Sequence, residues 1–201
     1  MKNKRITFLI PSLAGGGAER VCVTLANSLF NEGWDIDLVI LHNKKSVYHA
    51  ELNPNINLIN LNVSNIRFAF IPLMRYVFKN KPEKMLVFSY DLVIIVNLLR
   101  LLLNSKFKVI VRNNNTLSEK FNRAKGLKLS LLSKLLKFSY PKVDYVINQC
   151  ESMHNDLIKL FPQLSNKSSF IYKPMNEKVE NFSSTSLNII QGDYIVCVCR
   201  L

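Results

Sequence analysis

Three consecutive glycines, Gly15, Gly16 and Gly17, followed at once by Ala18, Glu19 and Arg20, are the residues of this chain best suited to chemistry. Glycine leaves backbone N–H groups open to an anion, and a helix that starts at such a loop turns its positive end toward the same point. The chemistry implied is the holding of a phosphate, with Gly15, Gly16, Gly17 and Glu19 as the candidate loop. Glu19 either pairs with Arg20 and orients the loop, or is a carboxylate at a helix start, where the dipole favours it. The rival reading is a dinucleotide fingerprint, G-x-G-x-x-G. Counted from Gly15, its third glycine falls on Arg20, whose bulk spoils the close helix-to-strand packing that glycine permits.

The elements that must position this loop follow from hydrophobic spacing. Ile6, Phe8, Leu9 and Ile10 form a short apolar run closed by Pro11, as expected of a strand buried on both faces. Ala18, Val21, Cys22, Leu25 and Leu29 recur at helical spacing, and Gly33 ends that helix before a second strand over residues 35–41. Further strands are predicted over residues 56–63, 85–89, 106–112, 143–147 and 169–172. Helices are predicted over residues 65–79, 91–104, 117–138 with a break near Gly126, and 151–161, Asp91 being placed to cap its own.

Alternation of this kind demands an α/β fold, a Rossmann-like, doubly wound parallel sheet. Ligands of such sheets collect at the carboxyl ends of the strands, here residues 12–17, 89–91 and 112–114. Ser89, Arg112 and Asn113 are therefore candidate phosphate or acceptor contacts. Arg112 has a second reading, a solvated charge at a strand end.

The 201 residues suffice for one domain with a full core, or for one domain and the start of another. Hydrophobic residues make up 48% and charged residues 20%, a globular composition. The formal net charge of +13 asks for an anionic partner. No helix-turn-helix, zinc-finger, RNP or KH pattern is present, so nucleic acid is not expected and a lipid surface fits better. Residues 120–142 carry Arg123, Lys125, Lys128, Lys134 and Lys137 and no acidic residue. Leu127, Leu131, Leu135 and Phe138 share one face of that helix, with Leu132 beside them and Lys128 inside the arc, from which a lysine can snorkel. Such a helix lies on an anionic membrane, or else packs its apolar face on the core and leaves a solvated lysine edge. Arg67, Arg75 and Lys79, among Phe68, Phe70, Leu73 and Phe78, would extend the same surface.

The apolar run after the basic N-terminus is too short for a signal peptide and lacks a cleavage pattern. Residues 92–103 are interrupted by Asn97 and Arg100 and fall short of the roughly 20 residues a spanning helix needs, so they read as a buried helix. Cys22, Cys150, Cys197 and Cys199 do not pair into metal spacing and fit cytosolic thiols. His42, His49 and His154 form no metal set, and neither a metal nor a cofactor is expected.

The first strand running into Gly16-Gly17-Ala18-Glu19, then Arg20 and the turn and strand NEGWDIDLVIL, resembles the start of the family 4 glycosyltransferases. These are nucleotide-sugar-dependent enzymes with two Rossmann-like domains, the GT-B fold. The resemblance continues through FSYPKVDYVINQCE and LIKLFPQLSNKSSFIYKPMN, where Lys173 replaces the family's usual asparagine. YIVCVCRL is similar to the strand that begins the second domain, with Cys199 where glycine is usual.

The resemblance implies an N-terminal, acceptor-side domain over residues 1–176, an interdomain linker over 177–193 and the first strand of a donor-binding domain over 194–201. It implies a nucleotide-sugar donor, taken as substrate and not cofactor, and a lipid-linked saccharide acceptor. The setting it implies is bacterial surface polysaccharide synthesis at the cytoplasmic, inner face of the cell membrane. In that family, retention of configuration is explained without a protein nucleophile, so stabilising the leaving diphosphate is the main catalytic task. The Arg/Lys pair and E-x7-E motif that do most of this lie in the second domain. The catalytic residues are therefore unassigned here, and the chain alone is expected to be inactive without a separate C-terminal polypeptide. Some members carry a sugar-contacting histidine after the fourth strand, where this chain reads Phe88-Ser89-Tyr90-Asp91. Two other readings stand beside this one: an inactive remnant that binds a membrane or a partner, and an independent Rossmann-like nucleotide-binding protein.

Overall fold

The apolar run at the N-terminus becomes β1 (Arg5–Ile10), with every residue from Ile6 onward buried, in the computed structural model, which describes residues 4–122 and 127–173. Six further strands follow: β2 (Asp35–Ile40), β3 (Asn57–Asn60), β4 (Lys84–Val87), β5 (Lys108–Arg112), β6 (Tyr145–Asn148) and β7 (Ser168–Phe170). All seven pair in parallel, in the order β3-β2-β1-β4-β5-β6-β7. The direction of winding therefore reverses between β1 and β4, the place where such sheets open a crevice at their carboxyl ends.

Helix α1 (Gly17–Asn31) covers one face of the sheet, packing Cys22, Val23 and Ala26 against Phe8, Ile10, Leu38 and Ile40. The other face carries α2 (Phe70–Asn80), α3 (Tyr90–Leu102), α4 (Leu117–Asn122), α5 (Leu127–Ser139) and α6 (Glu151–Leu160). Strand residues alternate between the two cores: Leu9, Val39, Met85, Val87, Val109 and Val111 face the larger helical layer, whereas Leu86 and Ile110 face α1.

Several boundaries differ from the sequence expectation. The helix expected over 65–79 begins as a 3-10 turn at Ile66–Phe68, capped by the Asn65 side chain, which accepts from the Arg67 N–H at 3.2 Å. Ser89, and not Asp91, occupies the N-cap of α3; the Asp91 carboxylate in the first turn instead accepts from Lys120 Nζ at 2.8 Å. In α1 the fully buried residues are Val21, Cys22, Val23 and Ala26, while Leu25 and Leu29 are half-buried at the edge of the core. Of the helix expected over 117–138 with a break near Gly126, the described parts are α4 and α5, and residues 123–126 lie outside the described residues. The linker and strand expected over 177–193 and 194–201 lie outside the described residues.

A polar cluster inside the sheet had no counterpart in the reading of the sequence. Asp37 is 2% exposed and accepts from Arg5 Nη2 at 2.9 Å, from Asn57 Nδ2 at 2.7 Å and from the Tyr76 hydroxyl at 2.7 Å. Tyr76 meets Thr7 Oγ1 at 2.9 Å, so α2 is keyed to both β1 and β2. The cluster lies where Thr7 and Asp37 pair, in the amino half of both strands.

Candidate functional site

The glycine loop leaves the carboxyl end of β1 and opens α1, as the sequence implies. Gly16 is the N-cap of α1, in an extended conformation, and its N–H donates to the Ala14 carbonyl at 2.7 Å. The Glu19 carboxylate folds back over it: a Cβ on Gly16 would stand 2.2 Å from Glu19 Oε2. Glu19 thus brings negative charge to the positive end of its own helix. A Cβ on Gly15 would stand 3.5 Å from Val47, in ordinary contact. A Cβ on Gly17 would stand 3.9 Å from Lys173 Nζ, so the side chain that follows β7 reaches over the start of α1.

The next ridge of the carboxyl edge is a belt of amides. Asn114 Nδ2 donates to the Phe88 carbonyl at 2.6 Å, and Gln149 Nε2 donates to Asn114 Oδ1 at 3.2 Å. Ser89 sits between these as the α3 N-cap, half-buried and without a side-chain capping bond. Asn113 is 1% exposed, and its amide is committed inward: Nδ2 donates to Asn148 Oδ1 at 2.8 Å, and the Tyr140 hydroxyl donates to Oδ1. Asn113 therefore holds β5, β6 and the 3-10 turn after α5 (Tyr140–Lys142) together and does not face the crevice.

Arg112 departs from the reading of a solvated strand-end charge. Its side chain is 3% exposed, and Nη1 is buried with no hydrogen-bond partner. By strand alternation it lies on the same side of the sheet as Ile110, toward α1. Burial pushes its pKa below the usual arginine range, and its charge acts on the buried Cys22 thiol, which also feels Glu19. The desolvation that dominates Arg112 pushes the Cys22 thiol well up and leaves it unreactive. Arg112, Glu19 and the first turns of α1 thus share one neighbourhood. Among the described residues, no group of three or more His, Cys, Asp or Glu gathers to hold a metal ion.

The basic residues assigned to a membrane surface are divided. Arg123 and Lys125 lie outside the described residues, as does the side chain of Lys128. Lys134 and Lys137 are exposed on α5, Lys137 with Nζ 5.2 Å from the centre of the Phe121 ring. The core-facing alternative for this helix fails at its apolar stripe, because Leu131, Leu135 and Phe138 are 60%, 43% and 69% exposed while Leu136 takes the buried position. A groove of about 700 Å³ runs between α5 and the end of α3, lined by Leu98, Leu101, Phe107, Leu135 and Phe138 and edged by Lys106, Lys142 and the Arg100–Asp144 ion pair. It lies beside the segments that enter β5 and β6, at the end of the sheet opposite the glycine loop. No helix among the described residues is long and apolar enough to cross a membrane.

Residues 15–178, more than half of the chain, match the sequence model of Glycosyltransferase Family 4. Among solved structures, the apo form of the lipopolysaccharide outer core galactosyltransferase WaaB is similar with a TM-score of 0.63 at 14% identity, over 85% of this chain and 46% of that one. HepE of Anabaena, solved in complex with UDP-glucose, gives a TM-score of 0.63 at 13% identity over 90% of this chain and 46% of its own. Sucrose-phosphate synthase of Thermosynechococcus elongatus gives 0.66 at 12% identity over 88% and 49%. The chain spans about half the length of these neighbours, and at such identities the likeness is one of fold. Comparison with curated protein sequences gives no match.

Proposed function

The chain belongs to glycosyltransferase family 4, and from that premise we propose that it is the N-terminal, acceptor-side part of a retaining enzyme. That enzyme moves a hexose or N-acetylhexosamine from a nucleotide-sugar to a lipid-linked saccharide during bacterial surface polysaccharide synthesis. One observation carries the reading: the Gly15–Gly17 loop opens α1 at the β1/β4 switch of a parallel sheet, inside the stretch that matches the family. HepE, whose structure contains UDP-glucose, shares this architecture, which favours a sugar nucleotide as donor here. The loop N–H groups and the α1 dipole would stabilise charge on the leaving diphosphate, the remaining contacts coming from a second domain. No metal or cofactor is invoked, and nucleic acid is not a partner.

The acceptor is taken as lipid-linked because the exposed apolar stripe of α5, with Lys134 and Lys137 beside it, suits the anionic inner face of a cell membrane. Removing the gene from its cell should leave a lipid-linked saccharide one sugar shorter than in the parent, read by mass spectrometry of the extracted lipids. An unchanged saccharide profile rejects the assignment.

A further inference from the structure

We propose that the chain carries a site for one molecule of an anionic lipid, its head held at the carboxyl ends of β1 and β2 and its hydrocarbon chain laid between α3 and α5. The proposal deepens the reading above by giving the acceptor's lipid a place on this domain, and it takes from that reading only the lipid nature of the acceptor.

Two hollows make the site. One, of about 640 Å³, opens where β1 and β2 end, at Pro11 and His42, and is walled by the 3-10 turn before α2 and by the first turns of α3. The other is the groove between α5 and the end of α3. Ile94 and Leu135 line both, so the two hollows meet midway along α3. Helix α3 runs from the carboxyl end of β4 back toward the start of β5, and from Asp91 to Leu101 the helical rise gives a path of about 15 Å. Along that path Leu98, Leu101, Leu135 and Phe138 are 43%, 72%, 43% and 69% exposed. Apolar side chains in a row on two neighbouring helices, with a furrow between them, suit a hydrocarbon chain, which brings no polar group to leave unsatisfied.

Polar groups without partners gather at the other hollow. His42 lines it, and His42 Nδ1 is buried with no hydrogen-bond partner, a state proteins seldom leave in place. Arg67 stands on the rim, exposed, and its guanidinium has no ion pair among the described residues. Among the described residues that line this hollow Asp91 is the one carboxylate, and Lys120 neutralises it at 2.8 Å. In the groove Asp144 is likewise matched by Arg100 at 2.5 Å, while Lys106 has no ion pair among the described residues. Once these pairs are counted, both mouths of the furrow are cationic. That balance selects an anionic amphiphile and works against a second copy of a chain whose formal charge is +13. An anionic head supplies the acceptor that Arg67, and His42 with Nδ1 protonated, both lack.

The test uses the full 201-residue chain and thermal unfolding with farnesyl phosphate below its micelle concentration, farnesol serving as the chain without the charge. Farnesyl phosphate should raise the wild-type midpoint saturably, and calorimetric titration should give one molecule per chain. Farnesol should bind roughly tenfold more weakly, having lost a charge-assisted hydrogen bond. Arg67→Gln and Leu98→Glu alter exposed side chains and keep the fold. Each should weaken binding of farnesyl phosphate roughly tenfold or more, the first by removing the cation and the second by setting a carboxylate against the hydrocarbon. Phe78→Glu changes an apolar side chain that is 74% exposed and lines neither hollow, and it should leave binding unchanged. A midpoint that farnesyl phosphate does not move, farnesol binding as tightly as its phosphate, or equal losses in L98E and F78E overturn the proposal. So does a chain that light scattering finds dimeric until L98E is introduced, which puts a second copy in the groove. Because binding is read without sugar transfer, failure here leaves the assigned reaction standing with its acceptor held elsewhere, and failure of the gene-removal experiment leaves the lipid site standing.

Discussion

Asp37 carries three hydrogen bonds in the interior of the sheet, and their loss should be felt at once. Asp37→Ala removes the buried acceptor shared by Arg5, the Asn57 amide and the Tyr76 hydroxyl, leaving Arg5 only the exposed Asp35 at 3.6 Å and the Asn80 carbonyl at 3.5 Å, and Tyr76 only Thr7. Breaking a buried pair in this way should lower unfolding stability by roughly 3 kcal/mol, measured by urea titration at neutral pH. Asp37→Asn keeps the shape and should cost less. Tyr90 gives a pH signature. Burial pushes its hydroxyl from the ordinary 10.0 up to about 12, partly offset by the Asn115 N–H, which donates to the Tyr90 oxygen at 2.9 Å. The folded chain therefore holds this proton after the unfolded chain has released it. The stabilisation is intact below pH 10 and is lost as pH rises from 10 toward 12. Tyr90→Phe should lose less stability between pH 9.5 and 11.5 than the wild type does, by urea titration at each pH.

At the scale of elements, β1, α1 and β2 were legible because each depends on neighbours close in sequence: the run from Ile6 to Ile10, the glycine loop, and Gly33 at φ +80, a conformation glycine adopts freely. The glycine loop and its place at the strand ends were readable for the same reason. What could not be read was set by distant partners. Nothing local to Arg112 tells that this strand end will be buried, and nothing local to Asn113 foretells Tyr140 and Asn148 around its amide. Asn97, which interrupts an apolar run, proved to be a bridge, donating to the Ser139 carbonyl and hydroxyl at 3.0 Å each and so tying α3 to α5. The periodicity of α5 was visible, but not which of its leucines would meet the core. If its outward stripe contacts a membrane, Leu135→Glu with Phe138→Glu should abolish sedimentation with phosphatidylglycerol vesicles while leaving the unfolding midpoint within a few degrees. Wild-type chain that stays in the supernatant with such vesicles removes the membrane reading.

Across the whole molecule, one face of the sheet has a single α-helix and the other has five among the described residues. The glycine loop lies at the carboxyl edge, while the apolar groove between α3 and α5 lies at the opposite end. A docked chain could thus rest on lipid without covering its glycine loop. This separation would let one domain hold a membrane and a soluble substrate at once.

The strand order has a further consequence, for the chain as it is being made. β1 precedes the other strands among the described residues, yet it pairs on one flank with β4, in a register that joins Thr7 to Met85. The β1-α1-β2 unit therefore leaves the ribosome long before that flank is covered, and the wait must be spent with Phe8 and Leu9 beside an open strand edge. Nascent chains halted after β3 should remain bound to chaperones, and those halted after β5, with the centre of the sheet closed, should be released.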